Sequence, residues 1–215
     1  MKKIVFAAAA ASVLAATPAL AMAEAPVRYV QANLGAAVDG QHEVSAQRLK
    51  KSGIGLYEQV SDAEGNIDSG AILSVLVGQK VKDKWAVEGE IIYAKTDSTM
   101  DRGYVAADAT AFGVMANVSY EALRRDSYGV YVGAGVGYGR VENEMAFAFD
   151  NGKASDDDSG VMWQLKAGVT YDLSPRTALD FGYRYLVLPE SPSAMIGDAF
   201  DAEIHALTAG VRYTF

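Results

Sequence analysis

The sequence contains no cysteine, and in 215 residues it has only two histidines, two tryptophans and five prolines. Without cysteine there is no disulfide framework and no thiolate centre, which excludes small stapled folds and thiol chemistry. His42 and His205 stand far apart in the chain, so a histidine-based metal centre or a nucleophile–base pair has little to draw on. Beyond Leu14 no stretch reaches the roughly 18 consecutive apolar residues that a membrane helix needs. Basic residues are also in the minority, and the formal charge of -8 argues against a nucleic-acid partner.

What is present begins with Lys2 and Lys3, an apolar run from Ile4 to Leu14, Pro18, and the small-residue pattern Ala19-Leu20-Ala21, repeated as Ala21-Met22-Ala23. This is the layout of a secretory signal peptide over residues 1–23, with cleavage after Ala21 or Ala23. Removing Lys2 and Lys3 takes the charge from -8 to -10. The remaining domain, residues 24–215, can reside in a membrane only through strands.

The last stretch carries the strand signal most clearly. His205, Leu207, Ala209, Val211, Tyr213 and Phe215 share one face, against Ala206, Thr208, Gly210, Arg212 and Thr214 on the other. The same alternation starts at Arg28, Gly70, Trp85, Thr110, Tyr128, Val161 and Thr177, which makes eight strands with this one. Tight turns such as Ser174-Pro175 alternate with polar segments at 39–69, 97–108 and 140–160 and a loop holding Pro189 and Pro192. Glycines 129, 133, 135, 137 and 139 occupy one face of the fifth strand, which excludes a helix there and marks a crowded or sharply bent wall.

Period-2 strands could also build a soluble sandwich. The charge distribution separates the two. On the apolar faces no Asp, Glu, Lys or Arg falls between the strand ends, whereas the opposite faces hold Glu88, Glu90, Lys166, Asp180, Arg184 and Arg212. A charge facing lipid at the bilayer midplane costs about 2 to 4 kcal/mol, and a soluble ligand-binding barrel would place its apolar face inside. The expected fold is therefore all-β, an eight-stranded antiparallel transmembrane up-and-down β-barrel, with aromatic residues such as Trp85, Tyr128, Trp163 and Tyr171 forming interfacial girdles. Inside it, Glu88 and Glu90 repel unless cations stand nearby. Lys166 and Arg184 are expected to reach across the lumen, and Asp180 to pair directly with Arg212.

The segments YVGAGVGYG (Tyr131 to Gly139), LKAGVTYDLSPRTALDFGYRY (Leu165 to Tyr185) and HALTAGVRYTF (His205 to Phe215) resemble the small outer-membrane β-barrel family related to the OmpA membrane domain and the neisserial opacity-type porins. The resemblance implies insertion by the outer-membrane assembly machinery, which in that family reads a C-terminal strand ending in an aromatic, here Tyr213 and Phe215. It implies no catalytic activity.

The expected function is a structural or surface-interaction role in a Gram-negative cell envelope, exerted through acidic extracellular loops and without catalysis. The alternatives are a small porin with a narrow polar lumen and a lipid-acting barrel enzyme. Eight strands leave an interior that side chains just fill, which disfavours a wide channel. Asp150, Asp156, Asp157 and Asp158 offer oxygen ligands, but their spacing does not follow a calcium-loop order, so no metal and no cofactor is expected. The expected partners are outer-membrane lipid and lipopolysaccharide and the assembly machinery, with the protein a monomer.

Overall fold

The structure, a computed structural model, describes residues 27–44, 63–100, 105–147, 153–189, 191–192 and 199–215. The signal segment with its two cleavage positions, and Asp150, lie outside the described residues. The alternating segments form eight long strands: β1 (Arg28–Val44), β2 (Ala63–Lys82), β3 (Trp85–Met100), β4 (Val105–Arg124), β5 (Tyr128–Phe147), β6 (Lys153–Asp172), β7 (Thr177–Val187) and β8 (Ala199–Thr214). Each pairs antiparallel with the next, and β8 pairs back onto β1 from Tyr29↔Thr214 to Val44↔Phe200, so the sheet closes on itself. A two-residue ladder, Ser191–Pro192, lies against the start of β8. Closure leaves no strand edge, which is the condition for β-structure to cross a bilayer.

Side-chain parity follows the pattern of the sequence. Trp163, Phe181 and Val211 point outward and are 40%, 55% and 50% exposed, while Glu90, Gln164 and Arg184 on the opposite parity are buried. A slip of one residue would reverse every side chain of a strand, so this exposure pattern fixes the register. The outer wall carries two aromatic belts. One lies by the tight turns, where Trp85 packs on Tyr120 with ring centroids 4.8 Å apart and Tyr128 pairs with Tyr171. In the other, Trp163 meets Tyr185 at 5.3 Å and Tyr185 meets His205 at 4.9 Å. From Tyr128 to Tyr138 on β5 the chain rises about 33 Å along the strand, or about 25 Å along the axis at the usual tilt, which is the height of an outer-membrane apolar band.

Beyond that band the strands continue, which departs from the sequence expectation. The described parts of the polar segments 39–69, 97–108 and 140–160 are ladder: β1 runs to Val44 and β2 starts at Ala63, β3 runs to Met100, and β5 runs to Phe147. Asp156, Asp157 and Asp158 lie in β6, paired with Asn143, Glu142 and Val141 of β5, not in a loop. Above the lipid the outward face no longer has to be apolar, so backbone pairing continues while the hydrophobic alternation that reveals it in the sequence disappears.

Candidate functional site

The lumen holds the chemistry, and it is layered. The middle layer is ionic. Glu88 and Glu90, two apart on the inward face of β3, each receive their own cation from the far wall. Lys166 Nζ of β6 bonds Glu88 Oε2, and Arg184 Nη2 of β7 donates to Glu90 Oε1 at 2.6 Å. All four residues are at least nine-tenths buried. Lys166 and Arg184 are direct cross-strand neighbours, so like charges lie side by side on each wall and opposite charges meet across the lumen. The glycine face of β5 makes the crossing possible: a Cβ on Gly133 would lie 3.0 Å from Lys166 Cε, and one on Gly135 would lie 1.8 Å from Asn117 Oδ1.

The remaining acceptor positions are filled by residues the sequence reading passed over. Glu90 Oε2 accepts from Asn117 Nδ2 at 2.9 Å and from Gln164 Nε2 at 2.6 Å, and Glu88 Oε1 accepts from the Tyr29 hydroxyl at 2.5 Å. Their inward parity was legible; their partners were not.

Asp180 and Arg212 form the expected ion pair, but a long one without a hydrogen bond. Their closest approach is 4.0 Å, between Nη2 and Oδ2. In the register, Asp180 stands opposite Gly210 and Arg212 opposite Ala178, an offset that keeps the pair long and lets each take a further partner. Asp180 Oδ1 accepts from the Tyr131 hydroxyl at 3.0 Å. Arg212 Nε donates to Gln31 Oε1 at 2.7 Å, and its guanidinium lies 4.4 Å from the centre of the Tyr29 ring.

Above the ionic layer, away from the tight turns, the inward residues are apolar. Ile72, Ile92, Met162, Leu186 and Ile204 are each about 1% exposed or less and belong to one packed cluster. The charged network does not stand in place of an apolar core: the barrel has both, one above the other. The void among Gln31, Asn33, Asp180 and Arg184 is about 10 Å³, room for about one water.

No group of three His, Cys, Asp or Glu side chains suited to a metal ion occurs among the described residues. On the outer wall His205 Nδ1 shares a hydrogen bond with the Tyr183 hydroxyl. At the tight-turn end Phe215 lies exposed on the outer face, its backbone N–H bonded to the Arg28 carbonyl at 2.9 Å, with Tyr213 on the same face.

A closed barrel with a lipid-facing apolar wall, aromatic belts and a polar-lined interior is the geometry of the outer membrane, and comparison with known proteins agrees. The model of the outer membrane protein beta-barrel domain matches residues 6–215. The chain belongs to that family. No match was found among curated proteins. Among solved structures, the outer membrane protein AlkL, determined in lipid bilayers, superposes with a TM-score of 0.54 at 19% identity, covering 93% of this chain and 95% of its own. Neisserial surface protein A gives 0.53 at 19% identity, covering 87% and 97%. The outer membrane protease OmpT from Escherichia coli gives 0.51 at 7% identity, covering 88% and 97%. At such identities the likeness carries the fold alone. The protein is thus an outer-membrane β-barrel, and family membership places its apolar band in that bilayer.

Proposed function

We propose that this barrel is a sealed, non-catalytic scaffold with a structural or surface-interaction role, presenting an acidic, strand-built rim outside the cell. The observation that carries the reading is the lumen's filling: an apolar layer of Ile72, Ile92, Met162, Leu186 and Ile204 stacked on the Glu88–Lys166 and Glu90–Arg184 pairs. Ions crossing it would have to break buried pairs and then enter an apolar constriction, and both steps are costly. The rim strands carry Glu142 and Asp157 at paired positions on one face of the β5–β6 ribbon and Asp156 and Asp158 on the other, acidic positions that lipopolysaccharide can approach through divalent counter-ions. The test is planar-bilayer conductance of the refolded protein. Absence of discrete channel events is expected; a stable open level would replace this reading with that of a small porin.

Tyr213 and Phe215 fit the role of an assembly signal for the outer-membrane insertion machinery. Phe215 is 63% exposed at the tight-turn interface, so it contributes less than the roughly 1.5 to 3 kcal/mol of a fully buried aromatic. Deleting Phe215 is expected to cut outer-membrane yield in cells severalfold while the barrel refolded in vitro keeps nearly the wild-type urea midpoint. Normal yield of the truncated protein would remove the assembly role.

A further inference from the structure

The tight-turn end of the barrel, periplasmic in this architecture, opens into a cup of about 280 Å³ bordered by Lys80, Glu121, Arg124, Asp172, Arg176 and Arg212. A narrower hollow of about 30 Å³ shares Lys80, Glu121 and Arg212 with it and continues inward to Ser119. Ser119 is 7% exposed, and its Oγ has no hydrogen-bond partner among the described residues. It lies next to Lys166: a Cβ on Gly133 would be 3.0 Å from both Ser119 Oγ and Lys166 Cε. The hollow thus ends at Tyr29 and Ser119, neighbours of Glu88 and Lys166 in the ionic layer.

The cup's charges do not balance internally. Glu121 is shared between Lys80 at 3.8 Å and Arg124 at 3.7 Å, and Asp172 is bonded by Arg124. Arg176 forms no ion pair among the described residues. Arg212 reaches a carboxylate only at 4.0 Å, on an Asp180 whose other oxygen accepts from Tyr131. Four cations and two carboxylates line the cup; with Asp180 counted as the partner of Arg212 one positive charge remains in excess, that of Arg176, in a chain whose formal charge is -8.

We propose that the cup binds a small oxyanion, a carboxylate or a phosphate, from the periplasmic side. Arg176 and Arg212 would grip it, with Lys80 at the wall and the Ser119 hydroxyl above as a further donor. Guanidinium groups suit such ligands because their planar forks match two oxygens at once, and a cavity with low-dielectric walls focuses the field of its charges. The volume falls just below that of drug-sized pockets, which selects for phosphate or a short dicarboxylate over a large ligand. The inference goes beyond the sealed-barrel reading and does not depend on it, since a conducting lumen would leave the cup in place.

The test uses the full barrel folded in lipid nanodiscs, titrated separately with sodium phosphate and sodium succinate at ionic strength held constant with sodium chloride. Arginine side-chain and backbone amide NMR shifts at Arg176 and Thr177 report binding. Saturable shifts with at least one probe are expected, and the probe that saturates identifies phosphate or carboxylate as the ligand chemistry. In Arg176→Gln, at an exposed turn position, the Kd is expected to rise at least tenfold while the strand amide spectrum stays unchanged. Shifts that grow linearly, match those caused by chloride alone, or persist unaltered in Arg176→Gln would overturn the proposal.

Discussion

Replacing Arg184 with alanine is expected to destabilise the barrel by about 3 to 5 kcal/mol, because Glu90 is then left charged and unpaired in a poorly solvated lumen. Two features bear on the size of the effect. Arg184 sits directly across from Lys166, so its removal relieves one like-charge contact. That gain is smaller than the loss, since Lys166 is held on Glu88 and cannot cover Glu90 without exposing its own partner. Asn117 and Gln164 still donate to Glu90, but neutral donors do not offset a buried charge. The measurement is urea unfolding of the folded protein in lipid. The double variant Arg184→Met, Glu90→Gln should recover most of the lost stability, because the amide oxygen placed on β3 by the second substitution can still accept from Asn117 and Gln164 while no charge remains. A wild-type midpoint for Arg184→Ala would mean that water already solvates the network, and the sealed lumen would have to be abandoned.

A second large effect is expected on the glycine wall. A Cβ at Gly137 would lie 2.2 Å from the Val114 carbonyl oxygen and 2.9 Å from Met115 Cα. Both obstacles are backbone of the adjacent strand, so no rotamer change can clear them, and the β4–β5 ladder itself must move. Gly137→Val should therefore cost at least about 3 kcal/mol, the upper end of the range for overpacking. Gly160→Ala is the control: there the nearest atom is Pro189 Cβ at 3.0 Å, with everything else at 3.9 Å. That methyl should shift the unfolding midpoint by less than about 1 kcal/mol, within the range of ordinary surface substitutions or slightly above it. Equal losses in the two variants would show that crowding is not what keeps this face glycine.

Much of this architecture is a local property of the chain. Whether Glu90 or Ile91 faces the lumen depends only on strand parity, and one face of each strand must be free of charge to meet lipid, so the inward set that includes Glu88, Glu90, Lys166 and Arg184 was readable from period-2 alternation alone. The strand ends were not readable, because the β5–β6 ribbon from Val141↔Asp158 to Ala146↔Lys153 stands outside the apolar band, where pairing leaves no hydrophobic trace. Nor were the partners. Which charges meet depends on tilt and stagger, and these are set only when all eight registers close together. Irregularities between Ala37 and Asp39, Ile67 and Ser69, and Glu121 and Leu123 shift that sum. Closure brought Glu88 to Lys166 and Glu90 to Arg184 across the lumen and offset Asp180 from Arg212 on neighbouring strands. The same stagger gathered Ile72, Ile92, Met162, Leu186 and Ile204 from five strands into one apolar layer, because residues scattered along a chain share a depth only once the wall is closed.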